Sequence, residues 1–153
     1  MIVGIGCDHA GLEMKEEMLA LLKDLGIEYK DFGTFSEQSV DYPDFGLRVS
    51  EAVSKGELNR GLLICGTGIG MSIVANKFNG VRAALCHEPY SARMSRLHND
   101  SNILVLGGRV TGKGLAREIA RVWFTTDFEG GRHSKRLDKI KEIEEGRCLK
   151  EKG

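Results

Sequence analysis

Cys65 is the residue best placed by type and neighbours to do chemistry. It closes an unbroken apolar run, Leu62-Leu63-Ile64-Cys65, and opens directly into Gly66-Thr67-Gly68-Ile69-Gly70. Such a run reads as a strand buried on both faces. A helix is expected over 71–78, stopped near Asn79-Gly80. Strand, glycine loop and helix together make an anion site. Glycines let the backbone approach a ligand, and the first N–H groups of a helix carry partial positive charge. A free thiol titrates near about 8.5, and a helix N-terminus favours its thiolate. The pattern therefore suits a base beside a pocket for an oxyanion.

Further residues of the same kind follow other predicted strands and helices. Asp8 and His9 follow the first strand, and His98-Asn99-Asp100 end the helix after the fourth. Arg109 follows Gly107-Gly108, and Arg132 and Arg136 follow Gly130-Gly131. Ligands in open parallel sheets bind at the carboxyl ends of strands, so the set is expected to converge on one sheet edge, with His98 near the mouth of the Cys65 site. The combination matches the needs of sugar-phosphate isomerisation. A base must take a proton next to a carbonyl, and the N–H groups of Gly66, Thr67, Gly68, Ile69 and Gly70 can hold the enediolate oxygen. Two arginines at i and i+4 share a helix side and can clamp a phosphate. An imidazole titrates in the range needed to move protons on a ring oxygen. Each residue also has a plain structural role open to it. Cys65 reads equally as an inert buried thiol, Asp8 as a helix N-cap, and His98-Asn99 as a helix C-cap. Arg132 and Arg136 read as a solvated helix face, and the glycine loop as a nucleotide-phosphate cradle.

Alternating elements must position these residues. Strands are expected over 2–7, 28–32, 62–65, 81–86 and 103–106. Helices are expected over 12–25, 45–54, 71–78, 89–98, 114–124 and 132–145, with a polar loop over 33–44. The gaps suit βαβ crossovers, which implies a three-layer α/β sandwich around a five-stranded parallel sheet. Residues 1–153 read as one domain. The final helix repeats Leu137, Ile140 and Ile143 at helical spacing, for packing on the domain or on a partner chain.

Composition narrows the classes. The chain has 22 basic and 22 acidic residues and no net charge, which gives no field for nucleic acid or membrane. No signal peptide or membrane-spanning run is read, so a cytoplasmic location is expected. The cysteines at 7, 65, 86 and 148 form no CxxC pair and read as free thiols of a reducing compartment. Gly66-x-Gly68-x-Gly70 is not the dinucleotide fingerprint, and the Walker pattern is missing its Gly-Lys-Ser/Thr. The four histidines are not spaced as a metal pair, so no metal site is expected.

The chain resembles the ribose-5-phosphate isomerase B family, which includes the galactose-6-phosphate isomerase subunits. The resemblance runs over nearly the whole chain. It rests on Gly6-Cys7-Asp8-His9-Ala10-Gly11, Asp41-Tyr42-Pro43, Cys65-Gly66-Thr67-Gly68-Ile69-Gly70, Ala75-Asn76-Lys77, Glu88-Pro89-Tyr90-Ser91-Ala92, His98-Asn99-Asp100 and Glu129-Gly130-Gly131-Arg132-His133. It implies a Rossmann-like fold and a cofactor-free interconversion of ribose 5-phosphate and ribulose 5-phosphate through a cis-enediol. It also implies a homodimer or tetramer whose active sites are shared between subunits. By the same resemblance, Cys65 is the base, His98 the ring-opening acid/base, and Thr67 an aid at the reacting end. Asp8 and Asn99 would hold hydroxyls, and His9, Arg109, Arg132 and Arg136 would surround the phosphate. A cysteine-free branch of the family uses a glutamate where this chain has Met71, so Cys65 must be the base here. Three other readings stay open: a hexose-6-phosphate isomerase, a non-catalytic phosphosugar sensor, and a nucleotide-binding module.

Overall fold

Glycine and valine decide how closely the first helical layer approaches the sheet. In β1 (Ile2–Cys7), Val3, Ile5 and Cys7 face one side and Gly4 and Gly6 the other. A Cβ on Gly4 would stand 2.5 Å from Leu58 Cδ1, and one on Gly6 3.1 Å from Val49 Cγ2. In β3 (Arg60–Cys65), a Cβ on Gly61 would stand 2.8 Å from Val49 Cγ1. Three glycines thus make the trough in which Val49 of α2 (Tyr42–Ser54) is fully buried.

The computed structural model describes residues 1–146, and the expectation for Cys148 falls outside them. The remaining elements are α1 (Leu12–Asp24), β2 (Glu28–Asp31), α3 (Ile69–Ala75), β4 (Ala83–Leu85), α4 (Pro89–Leu97), β5 (Ile103–Gly107), α5 (Lys113–Thr125) and α6 (Ser134–Glu144). The strands form one sheet in the order β2-β1-β3-β5-β4, and every pairing is parallel. Leu62 and Ile64 of β3, and Leu104 and Leu106 of β5, face the layer of α1 and α5. Leu63 and Cys65, with Ile103 and Val105, face the layer of α2 and α3. The period of two in side-chain direction therefore sends the Cys65 sulfur toward α2 and α3.

The expected α/β architecture is present, with changes at element ends. α2 begins at Tyr42 and takes Pro43 into its first turn, where a missing N–H costs nothing. α3 begins at Ile69, inside the expected glycine loop, and ends at Ala75 rather than residue 78. The Asn76 amide closes that end: its Nδ2 donates to Ser72 O and Ala83 O, and its Oδ1 accepts from Ala83 N. Arg132 and His133, expected in the last helix, belong instead to a 3-10 turn over Gly131–His133, and α6 starts after it.

Candidate active site

Parallel pairing carries Cys65 to the carboxyl edge of the sheet, opposite Gly107. Its side chain is buried at 4 % exposure. Sγ accepts a hydrogen bond from the Gly68 N–H at 3.2 Å, which would stabilise negative charge on sulfur. Gly68 reaches that position in the left-handed region, at φ 81°, and a Cβ there would stand 2.5 Å from Leu85 Cδ1. Thr67 is exposed, and its Oγ1 accepts from the Ile69 N–H at 3.2 Å. Two N–H groups of the glycine loop are thus used within the loop. The Tyr42 ring covers Gly70 so closely that a Cβ would meet it at 2.5 Å. Met71 is fully buried in the core.

Asp8, His9 and Arg109 come to the same edge. Asp8 is buried, and its Oδ1 accepts from the N–H groups of Ala10 and Gly11 at 2.9 and 3.1 Å, so it caps the turn it precedes. His9 Nδ1 accepts from the Val40 N–H at 3.2 Å, which leaves Nε2 to donate. The Arg109 N–H bonds Gly66 O at 2.9 Å, and the Gly108 N–H bonds Cys65 O at 2.8 Å. His9 and Arg109 share an open groove of about 610 Å³ with Glu13, Glu16 and Glu37.

The other candidates form a second cluster. His98 follows α4, and its ring stacks on His133 with centroids 4.2 Å apart and planes 14° from parallel. Arg132 Nε lies 3.5 Å from His133 Nε2, and Arg136 Nη1 lies 3.4 Å from His133 Nδ1. Glu129 Oε2 lies 3.6 Å from Nε2. His133 is buried, while Arg132 and Arg136 are exposed. Burial, then the charge of His98, pushes the His133 pKa below the ordinary histidine value. Glu129 opposes that shift, and Arg132 and Arg136 reinforce it. Asn99 is exposed, and its carbonyl accepts from Arg82 Nε at 3.0 Å.

The expectation that both groups share one edge is corrected by the topology. A helix that follows a parallel strand returns antiparallel to it, so its end lies beside the strands' beginnings. Arg82, which holds Asn99 and Asp100, directly precedes β4, and the Asn102 N–H bonds Arg82 O at the start of β5. His98 therefore belongs to the amino edge. It is separated from Cys65 by the span of β5, five residues, or about 16 Å at the usual strand rise. Within one chain the structure brings Asp8, His9, Cys65, the glycine loop and Arg109 together, and His98, Arg132 and Arg136 together, but not the two groups.

Among the described residues, His98, Glu129 and His133 place possible metal-ligating atoms within 4.8 Å of one another. The near-parallel stack aligns the two imidazole planes side by side, so one ion cannot lie in both planes. Sequence reasoning missed His133 and Tyr42 as members of these clusters. The available signals were the place of His133 between two candidate phosphate ligands and that of Tyr42 at the close of the polar loop.

Comparison with known proteins places this geometry in a family. Residues 3–140 match the model of a family described as Ribose/Galactose Isomerase. The chain is 49% identical over 145 residues to ribose-5-phosphate isomerase B of Escherichia coli, covering 95% of this chain and 97% of the other. It is 54% identical over 146 residues to a putative sugar phosphate isomerase of Bacillus subtilis, covering 95% and 98%. The solved structure of ribose-5-phosphate isomerase B from Clostridium thermocellum superposes with a TM-score of 0.93 at 55% identity, covering 97% of this chain and 100% of that one. The chain is a member of the ribose/galactose isomerase family.

Proposed function

We propose that this chain is a cofactor-independent aldose–ketose isomerase that interconverts ribose 5-phosphate and ribulose 5-phosphate through a cis-enediol, in the cytoplasmic non-oxidative pentose phosphate pathway. The observation that carries the chemistry is Cys65 Sγ at the carboxyl edge, bonded to the N–H of Gly68 in a glycine loop. In the forward direction His98 protonates the ring oxygen, and the anomeric hydroxyl gives its proton to solvent, as the furanose opens to the aldehyde. Cys65 takes the proton from C2, the electron pair forms the C1–C2 double bond, and the carbonyl oxygen at C1 becomes the enediolate oxygen. The enediolate oxygen at C1 takes the proton of the C2 hydroxyl, and Cys65 returns its proton to C1, which gives the ketose. The glycine-loop backbone faces the enediolate, Thr67 assists there, Asp8 and Asn99 hold hydroxyls, and His9, Arg109, Arg132 and Arg136 surround the phosphate.

The separation of the two clusters supports a homodimer in which each site takes Cys65 from one protomer and His98 from its partner. Large apolar side chains exposed on the chain suit such an interface: Ile69 and Ile73 on α3, and Ile140 and Ile143 on α6. Replacing Cys65 with Ala is expected to lower turnover of both sugars by about 10²–10⁴-fold. Calorimetric affinity for ribose 5-phosphate should change little, because the base acts on the transition state. A Cys65→Ala enzyme with parental turnover would contradict the assignment. A parent that binds both sugars and turns over neither would make the protein a sensor.

A further inference from the structure

His133 is buried at 2 % exposure and faces groups from every element around it. His98, following α4, lies flat against its ring, and Glu129, from the segment after α5, reaches Nε2. Arg132 of the 3-10 turn and Arg136 of α6 reach its two ring nitrogens. We propose that His133 is a positioning residue: it orients the His98 ring by stacking and one of the two guanidiniums through its unprotonated ring nitrogen, joining proton carrier and phosphate clamp in one rigid unit. This deepens the isomerase reading and rests on it.

The geometry specifies what each part of His133 does. The stack fixes the plane of the His98 ring, which sets where its nitrogens point. Guanidinium nitrogens can only donate, so a contact with either ring nitrogen needs a lone pair, and an imidazolium has none. A neutral His133 therefore accepts from one of the two arginines, whichever faces its unprotonated nitrogen, and burial among positive neighbours favours that neutral form. His133 thus stays neutral and leaves proton transfer to His98.

Two substitutions separate the stack from the polar contacts. His133→Phe keeps a flat ring and loses both nitrogens, whereas His133→Gln keeps a polar head and loses the ring. For His133→Gln, conversion of ribose 5-phosphate should stop rising with enzyme concentration, capped by spontaneous ring opening, while conversion of ribulose 5-phosphate stays proportional to enzyme. For His133→Phe, both rates should stay proportional to enzyme, and KM should rise by about tenfold for both sugars. Equal losses in both variants without the plateau, or parental kinetics in both, would overturn the proposal. A second measurement needs no substrate and no substitution at His133. In imidazole ¹⁵N NMR, His98→Asn should move the His133 titration upward, because the neighbouring charge is gone. An unmoved titration would refute the coupling, and a parent inactive on both sugars would instead refute the isomerase reading.

Discussion

Burial of His133 makes folding stability depend on pH. Its pKa is depressed in the folded chain, chiefly by burial and by His98. The unfolded chain, with histidine near about 6.5, therefore binds more protons between the two values. Stability from this group is complete above that unfolded value and is lost as the pH falls through it toward the folded value. Urea midpoints of the parent should drop between about pH 7.5 and 5.5 by more than those of His133→Gln, and equal drops would contradict a neutral buried imidazole. The thiols divide in the same way. Burial pushes Cys7 and Cys86 up to about 11, so neither presents a thiolate near neutral pH. Inactivation of the folded enzyme by iodoacetamide should follow modification of Cys65, with substrate protecting. Peptide mapping that shows activity falling in step with Cys7 or Cys86 would contradict the assignment of Cys65. The placement of Cys65 was legible in the sequence because a thiol ending a buried strand and opening into glycines is an unusual combination. The importance of His133 was not legible, because stacking on His98 comes from chain segments that meet only in the fold.

Glycines fix the distances between the loops of the carboxyl edge. A Cβ on Gly107 would stand 2.7 Å from Thr67 O, and one on Gly108 2.7 Å from Ala10 O. Both contacts are with backbone, which cannot swing aside as a side chain can. Gly107→Ala should therefore displace the Thr67 peptide, cost about 1–3 kcal/mol of stability, and lower turnover beyond the stability loss. Turnover unchanged in a folded Gly107→Ala enzyme would show that the glycine loop does not hold the reacting end. At this scale the order of strands and helices was readable from alternation and spacing. The ends of α2 and α3 were not, because Pro43 and Gly70 read as loop residues although the first turn of a helix accepts both. The misplacement of His98 arose from treating the end of a helix as though it were the end of a strand.

At the scale of the whole molecule, one chain carries its two groups of candidate residues on opposite edges of its sheet. A twofold axis can bring the carboxyl edge of one protomer to the amino edge of its partner and so form two equivalent complete sites. No helix among the described residues is long and apolar enough to cross a membrane. In the proposed dimer the exposed apolar residues of α3 and α6 would face the second copy. The proposed shared site was implied in the sequence only by resemblance, since composition and spacing carry nothing about which edge meets which. Subunit complementation tests it most directly. Cys65→Ala and His98→Asn enzymes, each nearly inactive, are unfolded together, refolded as a mixture, and assayed on ribose 5-phosphate. Half of the random dimers are mixed, and each mixed dimer has one site with both residues intact, so activity should recover to about a quarter of the parent's. Mixed dimers verified by native mass spectrometry that remain inactive would contradict the shared site.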